Sequence, residues 1–160
     1  MLRRGIAVAA IVVVLDQLSK AAVLAHFADT AVAAERLTPF FNLVLTYNRG
    51  MSFGLFNTGT AGGAGLNALL FSLAAAAIVA GLIYWLSRVT SPLLAVAIGL
   101  IIGGAIGNVV DRIRHGAVVD FLDFHIGAWH WPAFNVADSA ICVGVAAMLL
   151  DGLLLHREAH

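Results

Sequence analysis

Charge is what this 160-residue sequence has least of: nine Lys and Arg balance nine Asp and Glu, 11% of the chain in all. Soluble domains carry about 25% charged residues, and a small one exposes much of its surface to water. A soluble globular protein is therefore excluded. With zero net charge no overall field draws in anionic partners, so no nucleic acid is expected either. The single cysteine, Cys142, excludes an intrachain disulfide framework, and its expected place is buried packing. His115, His125 and His130 lack the helical spacing of a zinc-protease motif, so no metal is expected. Ser139 has no basic neighbour in sequence, which leaves no serine-hydrolase arrangement, and neither a repeat nor a soluble domain is visible.

What is present in excess is apolar sequence, 61% of residues, together with 16 glycines. Crossing roughly 30 Å of hydrocarbon takes about 20 helical residues. Four stretches are long enough: residues 5–27, 66–86, 92–110 and 132–155. The second and third are free of charge, the first carries Asp16 and Lys20, and the fourth carries Asp138 and Asp151. Residues 1–160 thus read as one polytopic membrane domain with longer loops at 28–65 and 111–131. The N-terminal Met-Leu-Arg-Arg and apolar run resemble a cleavable signal, but Asp16 and Lys20 interrupt the run, so it is kept as a span. Basic residues tie by count: Arg3, Arg4, Arg88 and Arg157 against Arg36, Arg49, Arg112 and Arg114. Arg3 and Arg4 flank the first span and Arg88 sits in a very short loop, where the positive-inside rule acts most strongly. Both termini are therefore expected in the cytoplasm, with the two longer loops outside.

In Phe41 to Asn48 apolar and polar residues mostly alternate, the pattern of a half-buried strand. Asn48-Arg49-Gly50 supplies a turn, and Met51 to Phe56 is expected to return as a second strand. Residues 57–65 hold four glycines and are expected to form a mobile connection. A small sheet on the membrane surface follows.

Ionisable groups within a bilayer usually face a bundle interior or a wet cavity. Asp16 and Lys20, four apart on a helix, share a face and pair, either to tie the first helix to its neighbours or to take part in chemistry. Gly99, Gly103 and Gly107 form a small-residue ridge for close helix contact. Asn108 and Asp111 follow on one face. Arg112 is either a ligand for a carboxylate, phosphate or carbonyl, or an interfacial anchor. Around Gly116 to Gly127 an extended reading turns Val118, Asp120, Leu122 and Phe124 one way and Val119, Phe121, Asp123 and His125 the other. Asp120 is then alone on an apolar face, where a carboxyl has a raised pKa and seeks a partner; Asp123 has His125 nearby and is the structural candidate. Trp131-Pro132 reads as an interfacial aromatic and a helix start, placing Asn135 and Asp138 on one face just inside the fourth span. Asp151, near the other end, is expected to snorkel or pair locally. Asp120 and Asp138 could meet at the hydrocarbon boundary, as a catalytic pair or as part of a proton or cation pathway.

Five motifs now fall in order: Asp16-Gln-Leu-Ser-Lys20, Asn48-Arg-Gly-Met-Ser-Phe53, Gly103-Gly-Ala-Ile-Gly-Asn-Val-Val-Asp-Arg112, Val118-Val-Asp-Phe121 and Phe134-Asn-Val-Ala-Asp138. With four spans and this length, the chain resembles the lipoprotein signal peptidase (signal peptidase II) family over nearly its whole extent. The resemblance implies a mainly α membrane fold of four transmembrane helices with a small β-sheet on the outer face. It implies an aspartic endopeptidase of the bacterial inner membrane that cleaves on the amino side of the diacylglyceryl-modified cysteine of prolipoproteins. Asp120 and Asp138 would be catalytic. Asn48, Gly50, Asn108, Arg112 and Asn135 would support the site or touch substrate, with Asp111, Asp16 and Lys20 supporting. No cofactor is needed, the partners are prolipoprotein substrate and membrane lipid, and a monomer is expected. Met51, where the family usually has a small residue, and the glycine-rich 57–65 stretch are the departures.

Overall fold

In a computed structural model, residues 1–49 and 61–158 are described, with backbone alone at 61–66 and 154–158. The order of elements is α1 (Leu2–Phe27), β1 (Ala34–Thr38), β2 (Phe41–Asn48), α2 (Ala61–Leu86), α3 (Pro92–His115), β3 (Val118–Ile126), β4 (Trp129–His130) and α4 (Val136–Glu158). All four helices are long and apolar enough to cross a membrane. Each of the four expected stretches is found as a helix; the ends at Phe27 and Leu86 and the start at Pro92 coincide with those expected, and the other ends are shifted. The proposed return strand at 51–56 and residues 57–60 lie outside the described residues. Residues 61–65 do not form a connection: they are the first residues of α2.

Helix α3 is central and packs on α1, α2 and α4. Its start is set by Ser91, whose side chain accepts from the Leu94 N–H at 3.2 Å, with Pro92 at the first helical position. Its end is set by Gly116 at φ 68°, a left-handed conformation suited to glycine, with Arg112, Arg114 and His115 in the last turn. Helix α1 buries Gly5, Ala9, Val12, Asp16, Lys20, Val23 and Phe27, one stripe at intervals of three and four. Most of the rest of its middle is apolar and exposed, for example Ile11, Leu15 and Leu18, as a lipid-facing helix requires.

Between helices in a bilayer the hydrophobic effect supplies little, and close packing of small residues does the work. The glycine ridge of α3 shows this directly. A Cβ on Gly99 would come within 2.5 Å of the Gly5 carbonyl oxygen, and one on Gly103 within 2.7 Å of that of Ala9. Gly104 lies against the Ala137 carbonyl of α4, and a Cβ on Gly107 would meet Asp16 Oδ2 at 2.5 Å.

The four strands form one antiparallel sheet in the order β1-β2-β3-β4. Strand β2 lies where alternation placed it; β1 and β4 had no clear sequence signal. Val23 and Phe27 of α1 pack on Phe121, with Leu43, Leu45, Leu122 and Val136 around them, and fix the sheet to one end of the bundle. Residues 118–121 are buried on both faces, so the two-sided alternation of β3 emerges only from Leu122 onward. The chain enters α4 later than Pro132 suggested. Phe134 is still paired with Leu122 in backbone hydrogen bonds, and helix begins at Val136.

Candidate active site

The local sequence Asn135-Val-Ala-Asp138 is an N-terminal capping box. Asn135 precedes the helix, and its Oδ1 accepts from the Asp138 N–H at 2.9 Å. Asp138 Oδ2 in turn accepts from the Asn135 N–H at 3.3 Å. Two N–H groups that a helix start leaves unbonded are satisfied reciprocally. Asp138 is thereby fixed in the first turn of α4 by the same bonds that begin the helix.

Asn135 is fully buried, and its amide nitrogen faces three acceptors: Asp120 Oδ1 at 2.7 Å, Asn108 Oδ1 at 3.2 Å and the Val119 carbonyl at 3.2 Å. It therefore touches Asp120 through its side chain and Asp138 through its backbone and Oδ1. Asp138 Oδ1 also accepts from Asn108 Nδ2 at 2.8 Å. Asp120, on β3, accepts on Oδ2 from Asn48 Nδ2 at 3.0 Å. Asn48 sits opposite Val118 in the β2–β3 register, so it reaches Asp120 along the diagonal. The Asp120 carboxyl is 2% exposed and its pKa is pushed up to about 6. Burial is the largest cause; the Asn48 hydrogen bond opposes it, and the charge of Asp138 adds to it.

Behind this pair lies a buried ionic cluster. Lys20 Nζ reaches Asp16 Oδ2 and Asp111 Oδ2, each at 2.8 Å, and donates to Asn108 Oδ1 at 3.2 Å. Asp16 Oδ1 accepts from the Ala137 N–H at 3.0 Å, and Asp111 Oδ2 from the Val119 N–H at 3.0 Å. The cluster thus grips the start of α4 and the start of β3, the two places that carry Asp138 and Asp120. Arg112 donates to the Asn108 carbonyl at 3.3 Å, and its guanidinium lies 5.4 Å from the Phe71 ring centre.

A family model described as signal peptidase II matches residues 8–154. The chain belongs to the signal peptidase II family. A lipoprotein signal peptidase of Burkholderia mallei is 50% identical over 150 residues, covering 93% of this chain and 87% of that protein. One of Paraburkholderia phymatum is 48% identical over 153 residues, covering 95% and 89%. Among solved structures, a bacterial membrane enzyme determined in meso at 1.9 Å matches with a TM-score of 0.77 and 28% identity, covering 93% of this chain and 92% of that one. A second, determined at 2.3 Å, matches with a TM-score of 0.74 and 29% identity, covering 93% and 87%. As a family member the chain is an aspartic-type signal peptidase of the membrane.

Of the family-motif residues singled out in the sequence, Asp16, Lys20, Asn48, Asn108, Asp111, Arg112, Asp120, Asn135 and Asp138 all come together at one end of the bundle. Gly50 lies outside the described residues. Asp123 stands apart: it accepts from Asn42 Nδ2 at 2.7 Å and pairs with His130 at 2.9 Å, not with His125. Burial alone would raise its pKa, but these hydrogen bonds and the nearby histidines outweigh it, and the pKa is lowered. One other expectation is corrected: Cys142 is exposed, because its side of α4 faces outward. Of the two alternatives for Asp151 the structure has the pairing: it is buried and accepts from Ser91 Oγ at 2.5 Å, bridging α4 to the start of α3. Gln17 was missed as a site residue. Its amide nitrogen reaches Asp111 Oδ1 at 2.9 Å and Asp16 Oδ2 at 3.2 Å. Its place within the Asp16-to-Lys20 motif was the available signal.

Proposed function

We propose that this chain is the endopeptidase that removes the signal peptide from diacylglyceryl-modified prolipoproteins, cleaving on the amino side of the lipidated cysteine. Asp120 and Asp138 form the catalytic dyad of this reading, and the observation that carries it is Asn135, bonded to both carboxylates at once. Two neighbouring acids cannot both ionise freely, so the pair shares a proton. Asp120, with its pKa near 6, is assigned that proton. Asp138 takes a proton from water as the water oxygen attacks the scissile carbonyl carbon. Asp120 gives its proton to the carbonyl oxygen, which would otherwise develop a full negative charge. The tetrahedral intermediate then collapses: its hydroxyl proton returns to Asp120, the C–N bond breaks, and the proton held by Asp138 passes to the leaving amine of the cysteine. No cofactor enters the scheme.

The wider setting is part of the same proposal. Residues 1–160 act as one membrane domain and as a monomer in the bacterial inner membrane. Both termini are cytoplasmic and the sheet lies at the outer face. The substrate's acyl chains anchor it at that interface, at roughly 0.8 kcal/mol per buried methylene, which brings the scissile bond to the depth of the dyad. Asp120→Asn and Asp138→Asn, assayed separately on a lipidated preprotein, are each expected to lose on the order of 1,000-fold in rate. Asp123→Asn is expected to retain most activity. A folded Asp120→Asn or Asp138→Asn protein that cleaves near the wild-type rate overturns the dyad.

A further inference from the structure

Helix α2 supplies no residue to the proposed chemistry. Its second half packs on α3, where Val79, Leu82 and Leu86 lie against Ala95, Ile98 and Ile102. About two turns before Val79 its surface is exposed, at Leu69, Leu70 and Leu73. In that stretch Phe71 makes a contact of another kind. Its ring centre lies 5.4 Å from the guanidinium carbon of Arg112, near the end of α3, within the range of a cation–π attraction.

The surroundings of Arg112 make this contact informative. The residue is half-buried and lies in the field of Asp138, Asp120 and Asp111. Yet among the described residues it forms no ion pair, and its hydrogen bond goes to the Asn108 carbonyl, one turn back on its own helix. A guanidinium carries five N–H donors and is the cation best shaped to pair with a carboxylate. Asp16 and Asp111 show what a cation within reach does here, since both pair with Lys20 at 2.8 Å. Asp120 and Asp138, in contrast, are bonded by neutral groups: the side-chain amides of Asn48, Asn108 and Asn135 and the Asn135 N–H. A carboxyl paired with arginine is held ionised, and an acid held ionised has no proton to give to a carbonyl oxygen.

We propose that Phe71 is a positioning residue for the cleavage reaction: its ring holds the Arg112 guanidinium off the two carboxyls, so that neither is locked into a salt bridge. This role rests on the reading that Asp120 and Asp138 cleave, and it adds a residue of α2 that lies outside the five sequence motifs. With the ring gone, the acids are the strongest attraction left to the guanidinium, and the side chain swings onto them. Phe71 is 40% exposed, so replacing it leaves the packing of α2 at Val79 and Leu82 in place.

The proton on Asp120 can be followed directly. Protein labelled at the aspartate side-chain carboxyl carbon is titrated by carbon NMR in detergent micelles, and Asp120→Asn identifies the resonance. In Phe71→Leu the Asp120 midpoint is expected to fall by about one pH unit, the effect of an arginine brought into contact. Phe71→Tyr, which keeps an aromatic face, is expected to titrate as wild type. Arg112→Gln and Phe71→Leu/Arg112→Gln are expected to titrate alike, because loss of the ring acts only through the guanidinium. On a lipidated preprotein, the alkaline decline of kcat/KM in Phe71→Leu should move down by the same unit, so that the rate at pH 8 falls about tenfold. Leu70→Ala, an exposed position on the same helix, should cleave as wild type. The NMR titration needs no cleavage, so a wrong dyad shows itself in the Asp120→Asn and Asp138→Asn assays and a wrong role for Phe71 shows itself here. An Asp120 midpoint in Phe71→Leu that stays at the wild-type value or rises overturns the proposal. So does a fall of equal size on adding Phe71→Leu to Arg112→Gln, which would make Phe71 a packing residue alone.

Discussion

A carboxyl with a raised pKa is a liability to the fold, and Asp120 is one. Its value of about 6 stands against an ordinary 3.8. The sign is fixed by linkage: the folded state holds this proton more tightly than the unfolded chain. Asp120 therefore contributes stability in full below about pH 4 and loses it as pH climbs through 6. Asp120→Asn removes the dependence. Whatever the substitution does to the Asn48 and Asn135 hydrogen bonds, the stability difference between variant and wild type should move in the variant's favour by about 1 kcal/mol between pH 5 and pH 8. Thermal unfolding in detergent at the two pH values measures it. A difference that stays constant would mean that Asp120 titrates as an ordinary surface acid. The same proton is needed by the proposed reaction, so the variant should gain stability relative to wild type across the range in which it lacks activity. Asp123 offers the contrast within one strand. It is also buried, yet Asn42 and His130 hold its pKa down, and its ionised form supports the sheet.

At the scale of elements, the position of Asp138 depends on how closely α4 approaches α3. Gly104 faces the Ala137 carbonyl and Ile141 with no room for a Cβ, whereas Gly81 on α2 has nothing within 4 Å. Gly104→Leu should force the start of α4 outward, with a stability loss of about 1–3 kcal/mol and a fall in kcat. Gly81→Leu should fold and cleave as wild type. Equal behaviour of the two variants would remove the close α3–α4 contact from the explanation of the site. The glycine ridge was readable from its four-residue spacing, as were the spans from their length and β2 from its alternation. Other features were hidden for physical reasons. Pro132 resembles a helix start, but the strand-like pairing of Phe134 with Leu122 delays α4 until Asn135 can cap it. The capping spacing of Asn135 and Asp138 was present in the sequence all along. What one strand cannot disclose is its partner's register: Asn42 faces Asp123 and Thr46 faces Asp120 only because of an irregularity between Leu43 and Thr46. Burial of both faces at 118–121 likewise comes from the helices beneath and not from the strand's own pattern.

Across the whole molecule, one buried ammonium joins the elements that carry the two catalytic candidates. Lys20 on α1 holds Asp16 and Asp111, Asp16 holds the Ala137 N–H of α4, and Asp111 holds the Val119 N–H of β3. Lys20→Met leaves two buried carboxylates without their shared cation, and breaking a buried ion pair from one side typically costs about 3–5 kcal/mol. The remedy follows from the geometry. In Lys20→Met/Asp111→Asn the amide oxygen can still accept from Val119, while one of the stranded charges is gone. The double variant should therefore be more stable than Lys20→Met alone, and the departure from additivity measures the coupling. The charge has a second effect, because Lys20 lowers the Asp120 pKa from a distance. Removing it should raise that pKa, so the pH at which kcat/KM declines on the alkaline side should move upward in Lys20→Met, and by less in the double variant, where the loss of the Asp111 charge offsets it. A Lys20→Met protein without that shift would make Lys20 a brace for the bundle and nothing more. A shift that is present in Lys20→Met and shrinks in the double variant would show that the net charge of the buried ion cluster sets the proton affinity of an acid on the sheet.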